Sequence, residues 1–201
     1  MTSLLTGLAA YIPRDRVAHI VAAKKRPFSN NGVAMIADIS GFTALTEALT
    51  TGLSAGHGAE ELTRALDSVF DPLIQQVHTY RGSVIKFGGD ALIVWFGEET
   101  EISEWRIDDP PSQAILRALT AAQNMQQVMV DYGQIPTPIG PIVLKMKIGL
   151  TYGSVKRFNL GLPEYGYEDI IAGATLDRMA DAEHHAEPGD IIADKATLDA
   201  V

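Results

Sequence analysis

Short apolar runs and stretches with helical spacing alternate along this chain. GVAMIAD, residues 32–38, is a short continuous apolar run that ends at Asp38 and predicts a buried strand. FTALTEAL and GHGAEELTRALDSVFDPLIQQVHTY follow, with apolar residues every three or four positions, as in a helix with one buried face. Pro72 interrupts the second stretch, so a kink or a local break could occur there.

The middle of the chain predicts a hairpin and another helix. GSVIKFGGDALIVWF predicts two short strands joined by a tight turn at Gly88, Gly89 and Asp90. The acidic stretch GEETEISEWRIDDPP is expected to be an exposed connection. Ser112 is then predicted to cap a helix that ends at Gly133. Its predicted apolar face consists of Ile115, Leu119, Ala122, Met125 and Met129.

The last third of the chain returns mainly to short strands. IVLKMKIGLTYGSVKRFNL predicts a strand, a turn at Gly153 and a second strand. YEDIIAG predicts one more strand, ATLDRMADAEHHA a helix, and EPGD a turn into the strand IIAD. The order strand, helix, strand, strand, helix, strand is the ferredoxin-like βαββαβ pattern. We therefore predict an α+β fold: a ferredoxin-like core with an antiparallel sheet, helices on one face and a C-terminal α/β extension.

Length and composition narrow the class of protein. The 201 residues suit one domain, 1–201, with its core at about 33–194 and a lead-in at 1–32. The chain is 46% hydrophobic and 20% charged, as soluble globular proteins are, and it contains no cysteine for disulfides, metal sites or thiol chemistry. It lacks the roughly 18 uninterrupted apolar residues of a membrane span and the early basic residues of a signal peptide. A cytoplasmic location is therefore expected.

The charge of the chain is unevenly distributed. A net charge of −9 argues against a nucleic-acid partner, because it repels phosphate backbones. Residues 132–163 nevertheless contain no Asp or Glu and four basic residues: Lys145, Lys147, Lys156 and Arg157. This segment is either a hairpin whose outer face is basic or a surface for an anionic ligand.

Two aspartates are expected to meet in the predicted fold. Asp38 ends the first strand and Asp90 lies in the hairpin turn, and in a βαββαβ sheet these elements are neighbours. Carboxylates held close together repel each other unless a cation lies between them. Mg²⁺ in proteins is usually held by one or two carboxylates, together with phosphates and water. Taken singly, Asp38 could be a helix cap and Asp90 a turn residue, but the pair predicts a site for a nucleotide-bound metal.

The residues that follow Asp38 fit a phosphate. Ser40, Gly41, Phe42 and Thr43 lie where a helix is predicted to start, and backbone N–H groups at a helix N-terminus bind phosphate well. Gly41 would let the backbone come close to the ligand. Lys86, on the predicted hairpin, is either a solvated lysine at the sheet edge or a contact to phosphate, base or a small anion.

These motifs resemble those of a known family. ADISGFTALTE, IKFGGDAL, KIGLTYGSV and IIAGATLDRMADAEHHAEPGDIIAD, in this order and spacing, resemble the class III nucleotidyl cyclase catalytic domain over roughly Val33 to Asp194. The likeness is greatest to the first, metal-binding half of bicarbonate-responsive soluble adenylyl cyclases. In that family two domains pair head to tail and bind ATP between them. The resemblance thus implies an adenylate cyclase, a phosphorus–oxygen lyase of intracellular signalling that converts ATP to 3′,5′-cyclic AMP and pyrophosphate.

The resemblance also implies roles for individual residues. Asp38, Asp90 and the Ile39 carbonyl would hold two Mg²⁺ ions, for which Mn²⁺ could substitute. The segment from Asp38 to Thr43 would wrap the phosphates. Lys145 would contact phosphate, with Lys147 as the alternative because the alignment there is uncertain by about two residues.

The chain departs from the family in its late motif. A homodimeric cyclase carries an Asn four residues, and an Arg eight residues, after the late glycine; counted from Gly173, this chain has Asp177 and Asp181. Ile170 stands where many adenylyl cyclases carry an adenine-reading Asp or Thr. The resemblance therefore implies a metal-binding half that is incomplete on its own. It would be the N-terminal part of a longer protein and would need a second cyclase domain.

Two alternatives follow from these departures. The first is a catalytically inactive, cyclase-like regulatory module that binds nucleotide or a small anion. The second concerns bicarbonate as a further ligand. Lys86 matches the lysine on that side of the cleft, but Ala180 stands at the position of the bicarbonate-binding arginine, and Arg178 comes two residues earlier. Bicarbonate sensitivity is therefore open.

Overall fold

A computed structural model of the protein describes residues 13–21, 28–52, 55–98, 109–162 and 166–201. Most of the predicted acidic connection, residues 99–108, lies outside this part of the chain. The elements are α1 (Arg14–Val21), β1 (Ser29–Ser40), α2 (Phe42–Gly52), α3 (Ala55–Thr79), β2 (Ser83–Gly88), β3 (Ala91–Gly97), α4 (Pro110–Tyr132), β4 (Gln134–Ile135), β5 (Ile142–Val143), β6 (Lys145–Leu162), β7 (Gly166–Ala172), α5 (Ala174–His184), β8 (Ile191–Ala193) and α6 (Lys195–Leu198).

The main sheet has the order β2–β3–β1–β6–β7, and every neighbouring pair along this path is antiparallel. β8 joins the sheet by pairing in parallel with β6. The strands β2, β3, β1 and β6 have the 2-3-1-4 order of a ferredoxin-like core, in which β6 is the fourth strand. The predicted α+β fold is therefore confirmed. β7, α5, β8 and α6 form the predicted C-terminal extension.

The central strand β1 separates two clusters of apolar side chains. Val33, Met35, Ala37 and Ile39 are fully buried in the larger cluster, which they form with residues of α3 and α4. Because side chains alternate along a strand, Ala34 points to the opposite face. There it joins a smaller cluster with Ile85, Trp95, Val155 and Met179. The two long helices thus share one face, as predicted, whereas α5 covers part of the second face, which the prediction did not include.

Close packing of α5 explains why the prediction of a turn at Gly153 is wrong. β6 runs without interruption from Lys145 to Leu162, and Gly153 pairs with Gly32 of β1 in mid-strand. A Cβ atom at position 153 would lie 2.6 Å from the Thr175 hydroxyl and from a nitrogen of Arg178. This glycine therefore marks the close approach of a helix.

Three other local predictions are corrected at helices and strand ends. β1 extends beyond Asp38 to Ser40. α3 continues through Pro72 without a break. α4 is capped by Asp109 instead of Ser112: the Asp109 carboxylate accepts a hydrogen bond of 3.0 Å from the Ser112 backbone N–H. The predicted C-cap at Gly133 is confirmed by its N–H bond of 2.9 Å to the Met129 carbonyl.

The lead-in helix α1 is joined to the sheet by ion pairs. Arg16 donates from Nε to both carboxylate oxygens of Asp169 on β7, at 3.1 Å each. Arg157 of β6 contacts the same carboxylate and also Asp15 of α1. Among the described residues, no helix is both long and apolar enough to cross a membrane.

Candidate active site

The end of β1 and the β2–β3 turn bring Asp38 and Asp90 to the same edge of the sheet. Asp38 pairs with Ala91, the residue that follows Asp90. One residue further on, the Ile39 N–H donates a hydrogen bond of 3.3 Å to the Asp90 carbonyl oxygen. The Asp38 side chain is partly buried, while Asp90 is exposed in the turn. The predicted proximity of the two aspartates therefore follows from backbone pairing.

The electrostatics of Asp38 fit a cation site. Burial raises the pKa of Asp38, and the nearby charges of Asp90 and Glu183 raise it further, while Lys147 opposes them. A divalent cation would relieve this accumulation of negative charge. In the described part of the chain, no group of three or more His, Cys, Asp or Glu side chains could hold a metal. Two carboxylates, the Ile39 carbonyl and a ligand phosphate would suit Mg²⁺.

The turn from β1 into α2 supplies a candidate phosphate site. Gly41 has a φ of 106°, a conformation that favours glycine, and a Cβ there would lie 3.2 Å from the Val143 carbonyl oxygen. α2 begins at the next residue, Phe42, whose ring stacks on Phe70 with centroids 5.9 Å apart. Ser40 and Thr43 are exposed on either side of this helix start. The amide groups of the first helical turn thus lie beside Asp38, where they could donate to an anion.

The register of β6 gives different neighbours to Lys145 and Lys147, the two candidates for a phosphate contact. Lys145 pairs with Ser40, whose hydroxyl donates to the Lys145 carbonyl oxygen at 3.4 Å. Its side chain is exposed, and no ion pair of Lys145 occurs among the described residues. Lys147 pairs with Asp38, but its ammonium group is 2.6 Å from Glu183. Lys145 is therefore the better placed of the two to reach an added phosphate.

Lys86 lies on the same face of the sheet as Asp38. It is exposed on β2 and pairs with Ile93 after a bulge that follows Val84. Ile93 and Ile36 pack at the margin of the smaller apolar cluster, and Asp38 follows Ile36 at the next position that points the same way. The part of this face that α5 leaves uncovered thus carries Asp38, Lys86 and two half-buried isoleucines.

The late motif places carboxylates at the two positions where the resemblance implies an Asn and an Arg. Asp177 and Asp181 are exposed on α5, Ala180 is exposed between them, and Ile170 is half-buried on β7. Arg178, the nearest arginine to the expected bicarbonate position, donates to the Asp194 carboxylate at 2.7 Å and to the Tyr152 carbonyl at 2.9 Å. Its guanidinium thus secures α5 against the sheet.

Glu183 is the site residue that sequence reasoning missed. It contacts Lys147, and its charge acts on Asp38, although it lies far from both in sequence. Its position in the late motif carries no signal of this contact, because the contact depends on how α5 crosses β6.

An antiparallel ferredoxin-like sheet with two aspartates beside a glycine-led helix start is suited to binding a metal-bound nucleotide. The chain belongs to the adenylate and guanylate cyclase catalytic domain family, whose model matches residues 24–200. Members of this family, the class III nucleotidyl cyclases, generally use divalent metals, bind nucleotide and dimerise.

Curated relatives and solved structures agree with this family. Adenylate cyclase type 10 of Homo sapiens is 25% identical over 190 residues, which cover 94% of this chain and 11% of that protein. The chain thus spans about a tenth of the length of the curated relatives it matches. The guanylyl cyclase Cya2 has a TM-score of 0.67 at 25% identity, covering 86% of this chain and 78% of that one. The adenylyl cyclase CyaB from P. aeruginosa has a TM-score of 0.66 at 22% identity, with coverages of 86% and 80%.

Proposed function

We propose that this domain forms the metal-binding half of a paired adenylate cyclase site that converts ATP to 3′,5′-cyclic AMP and pyrophosphate. The observation that carries the proposal is the backbone junction between Asp38 and Asp90, next to the α2 N-terminus. ATP is favoured over GTP by the likeness to adenylate cyclase type 10. A role in intracellular signalling and a position at the N-terminal side of a longer protein belong to the same proposal.

In the proposed reaction, different residues of the chain would hold the metal ions and bind the phosphates. Asp38, Asp90 and the Ile39 carbonyl would hold two Mg²⁺ ions, or Mn²⁺ in their place. When bound, such ions lower the pKa of the attacking 3′-hydroxyl and neutralise charge that develops on the phosphates. The first-turn amides of α2, from Phe42 onward, would donate to phosphate oxygens, and Lys145 would add positive charge beside the pyrophosphate that leaves.

A second cyclase domain is needed because of Asp177 and Asp181. Carboxylates there would repel the charge of the transition state, and the loss of a cation aimed at that charge costs orders of magnitude in rate. We propose that a head-to-tail partner supplies the missing Asn and Arg. Ile36 and Ile93, both half-buried on the uncovered part of the second face, give this partner an apolar surface to contact.

The second candidate is a regulatory module that binds nucleotide or a small anion without catalysis. The aspartates at 177 and 181 favour it, and so does the exposed Lys86 on the face that carries Asp38. Bicarbonate is a less suitable anion, because the Arg178 guanidinium already donates hydrogen bonds to the Asp194 carboxylate and to the Tyr152 carbonyl.

The experiment that separates these functions measures cyclic AMP formed from Mg²⁺-ATP and Mn²⁺-ATP. The chain is assayed alone and then mixed with a cyclase domain that carries the Asn and Arg, with GTP as the comparison substrate. Activity only in the mixture, lost in Asp90→Ala, supports the metal-binding half. Activity of the chain alone would show that the interpretation of Asp177 and Asp181 is wrong. Nucleotide binding without activity in either case would favour the regulatory module.

A further inference from the structure

The Lys147 ammonium group lies between two carboxylates that belong to different elements. It is 2.6 Å from an oxygen of Glu183 on α5 and 4.0 Å from an oxygen of Asp38 on β1. The three side chains are 26%, 17% and 28% exposed, in the order Lys147, Glu183, Asp38. Water therefore screens these charges only in part, and each influences the others.

The position of Glu183 is fixed by its backbone. α5 packs directly on Gly149 of β6, where an added Cβ would collide with the Glu183 N–H and lie 2.7 Å from the Met179 carbonyl oxygen. Gly149 and Lys147 are two residues apart on one strand, so they point to the same face. The contact between α5 and Gly149 thus aims the Glu183 carboxylate at Lys147.

The Lys147 ammonium group interacts differently with Glu183 and with Asp38. The 2.6 Å contact with Glu183 is a charge-assisted hydrogen bond, whereas 4.0 Å to Asp38 is beyond hydrogen-bond length. An ammonium group that closed this remaining gap would occupy an oxygen of Asp38. A lysine in that position competes with a divalent cation for the same carboxylate.

We propose that Glu183 is a positioning residue that holds the Lys147 ammonium group away from the Asp38 oxygens and so keeps Asp38 available to a divalent cation. The inference rests on the proposed metal site at Asp38 and Asp90. It has a specific consequence: loss of the Glu183 charge weakens metal binding more while Lys147 is present than after Lys147 has been replaced.

The test is a Mn²⁺ titration of the purified chain without nucleotide, in which electron paramagnetic resonance reports the free ion. For Glu183→Gln we expect Mn²⁺ affinity to fall roughly two- to fivefold, the scale of a partly exposed ion pair. Lys147→Met should bind Mn²⁺ at least as tightly as the unmodified chain. The double variant should bind Mn²⁺ nearly as tightly as Lys147→Met, because no ammonium group remains to close on Asp38 and only the direct effect of the Glu183 charge is lost.

A matched control is a lysine–carboxylate pair on α6 that has the same length as the Lys147–Glu183 pair. Lys195 and Asp199 are 2.6 Å apart on α6, where both are exposed, so Asp199→Asn removes the same charge without contact to the site. It should leave Mn²⁺ affinity unchanged. Melting temperatures of all variants show whether any change in binding follows a loss of folding.

The outcomes distinguish this inference from the proposed site. If Asp90→Ala abolishes Mn²⁺ binding but Glu183→Gln leaves it unchanged, the metal site stands and the role of Glu183 is overturned. A double variant as weak as Glu183→Gln would also overturn it, because the effect would then arise from the Glu183 charge alone. If the unmodified chain binds no Mn²⁺, or Asp90→Ala binds it equally, both the site and this inference fail.

Discussion

The backbone N–H of Ile39 donates to the carbonyl oxygen of Asp90, across 3.3 Å. This bond joins the end of β1 to the turn between β2 and β3 and sets Asp38 and Asp90 at one edge of the sheet. Main-chain atoms make the junction, so the scaffold does not depend on either carboxylate. The two side chains can therefore be changed to test chemistry separately from folding.

We expect Asp90→Ala to lose Mg²⁺-dependent nucleotide binding while the fold is retained. Asp90 is exposed, and exposed substitutions usually change the free energy of unfolding by no more than about 0.5 kcal/mol. Titration of a fluorescent ATP analogue with and without Mg²⁺ measures the first effect, and thermal unfolding measures the second. Asp67→Ala, at an exposed position on α3, is the control and should bind as the unmodified chain does. Mg²⁺-dependent binding that survives in Asp90→Ala would remove Asp90 from the site.

Asp38→Asn should stabilise the protein at neutral pH in the absence of metal. Burial, followed by the charges of Asp90 and Glu183, raises the pKa of Asp38 above its ordinary value of 3.8. The folded state therefore binds this proton more tightly than the unfolded state, and stability falls as the pH rises from 3.8 through the raised pKa. Above that window the full cost of the charge is present, and asparagine removes it.

The measurement is the melting temperature of Asp38→Asn and of the unmodified chain from about pH 4 to about pH 8. The variant should melt higher at the upper end, and the difference should shrink toward the lower end, where the aspartate is protonated. A difference that does not depend on pH, or a variant that melts lower throughout, would contradict the raised pKa of Asp38.

Local signals account for the elements that were predicted from the sequence. The helical stripe in α3 and the Gly-Gly-Asp turn between β2 and β3 depend on residues close together in the chain. Alternation along β1 and the order of elements then place the four-strand core, and with it the Asp38 and Asp90 pair. The position of Asp38 next to the hairpin can be predicted because strand order alone brings the end of β1 beside the β2–β3 turn.

The predictions that failed depended on contacts between distant residues. A glycine in an apolar run is compatible with a turn or with close packing, and at Gly153 only Thr175 and Arg178 of α5 decide between them. Glu183 likewise has no local signal, because its partner Lys147 lies on another element. The preference for Lys145 over Lys147 as the phosphate contact stays a prediction, and it too depends on the contact between Lys147 and Glu183.

Gly149→Ala should destabilise the protein and disturb the position of α5. The new methyl group would meet the backbone of Glu183 and Met179, which cannot move as a flexible side chain can. Overpacking of this kind typically costs about 1–3 kcal/mol of the free energy of unfolding. Gly88→Ala is the matched control, since a Cβ there meets nothing within 4 Å. Urea unfolding should separate the two variants, and equal stability would argue against close packing of α5 on β6.

Asp169→Asn should destabilise the chain more than any exposed ion-pair variant, because two buried guanidinium groups share this carboxylate. The Arg16 and Arg157 side chains are 3% and 1% exposed, and both contact Asp169. Removal of one partner from a buried ion pair leaves an uncompensated charge and costs roughly 3–5 kcal/mol. Denaturant unfolding measures this loss.

The loss of stability in Asp169→Asn should be accompanied by a local change in hydrogen exchange. Arg16 belongs to α1, so Asp169→Asn should also increase hydrogen exchange in α1 relative to α3 and α4, which do not depend on this contact. Glu61→Gln is the control: its partner Arg64 is 68% exposed, and such pairs contribute about 0–1 kcal/mol. If Asp169→Asn cost no more than Glu61→Gln, the ion pairs would not be what attaches α1 to the sheet. The hydrogen bonds from Arg14 to the His78 carbonyl and from the Asp15 N–H to the Ser83 hydroxyl would then have to account for it.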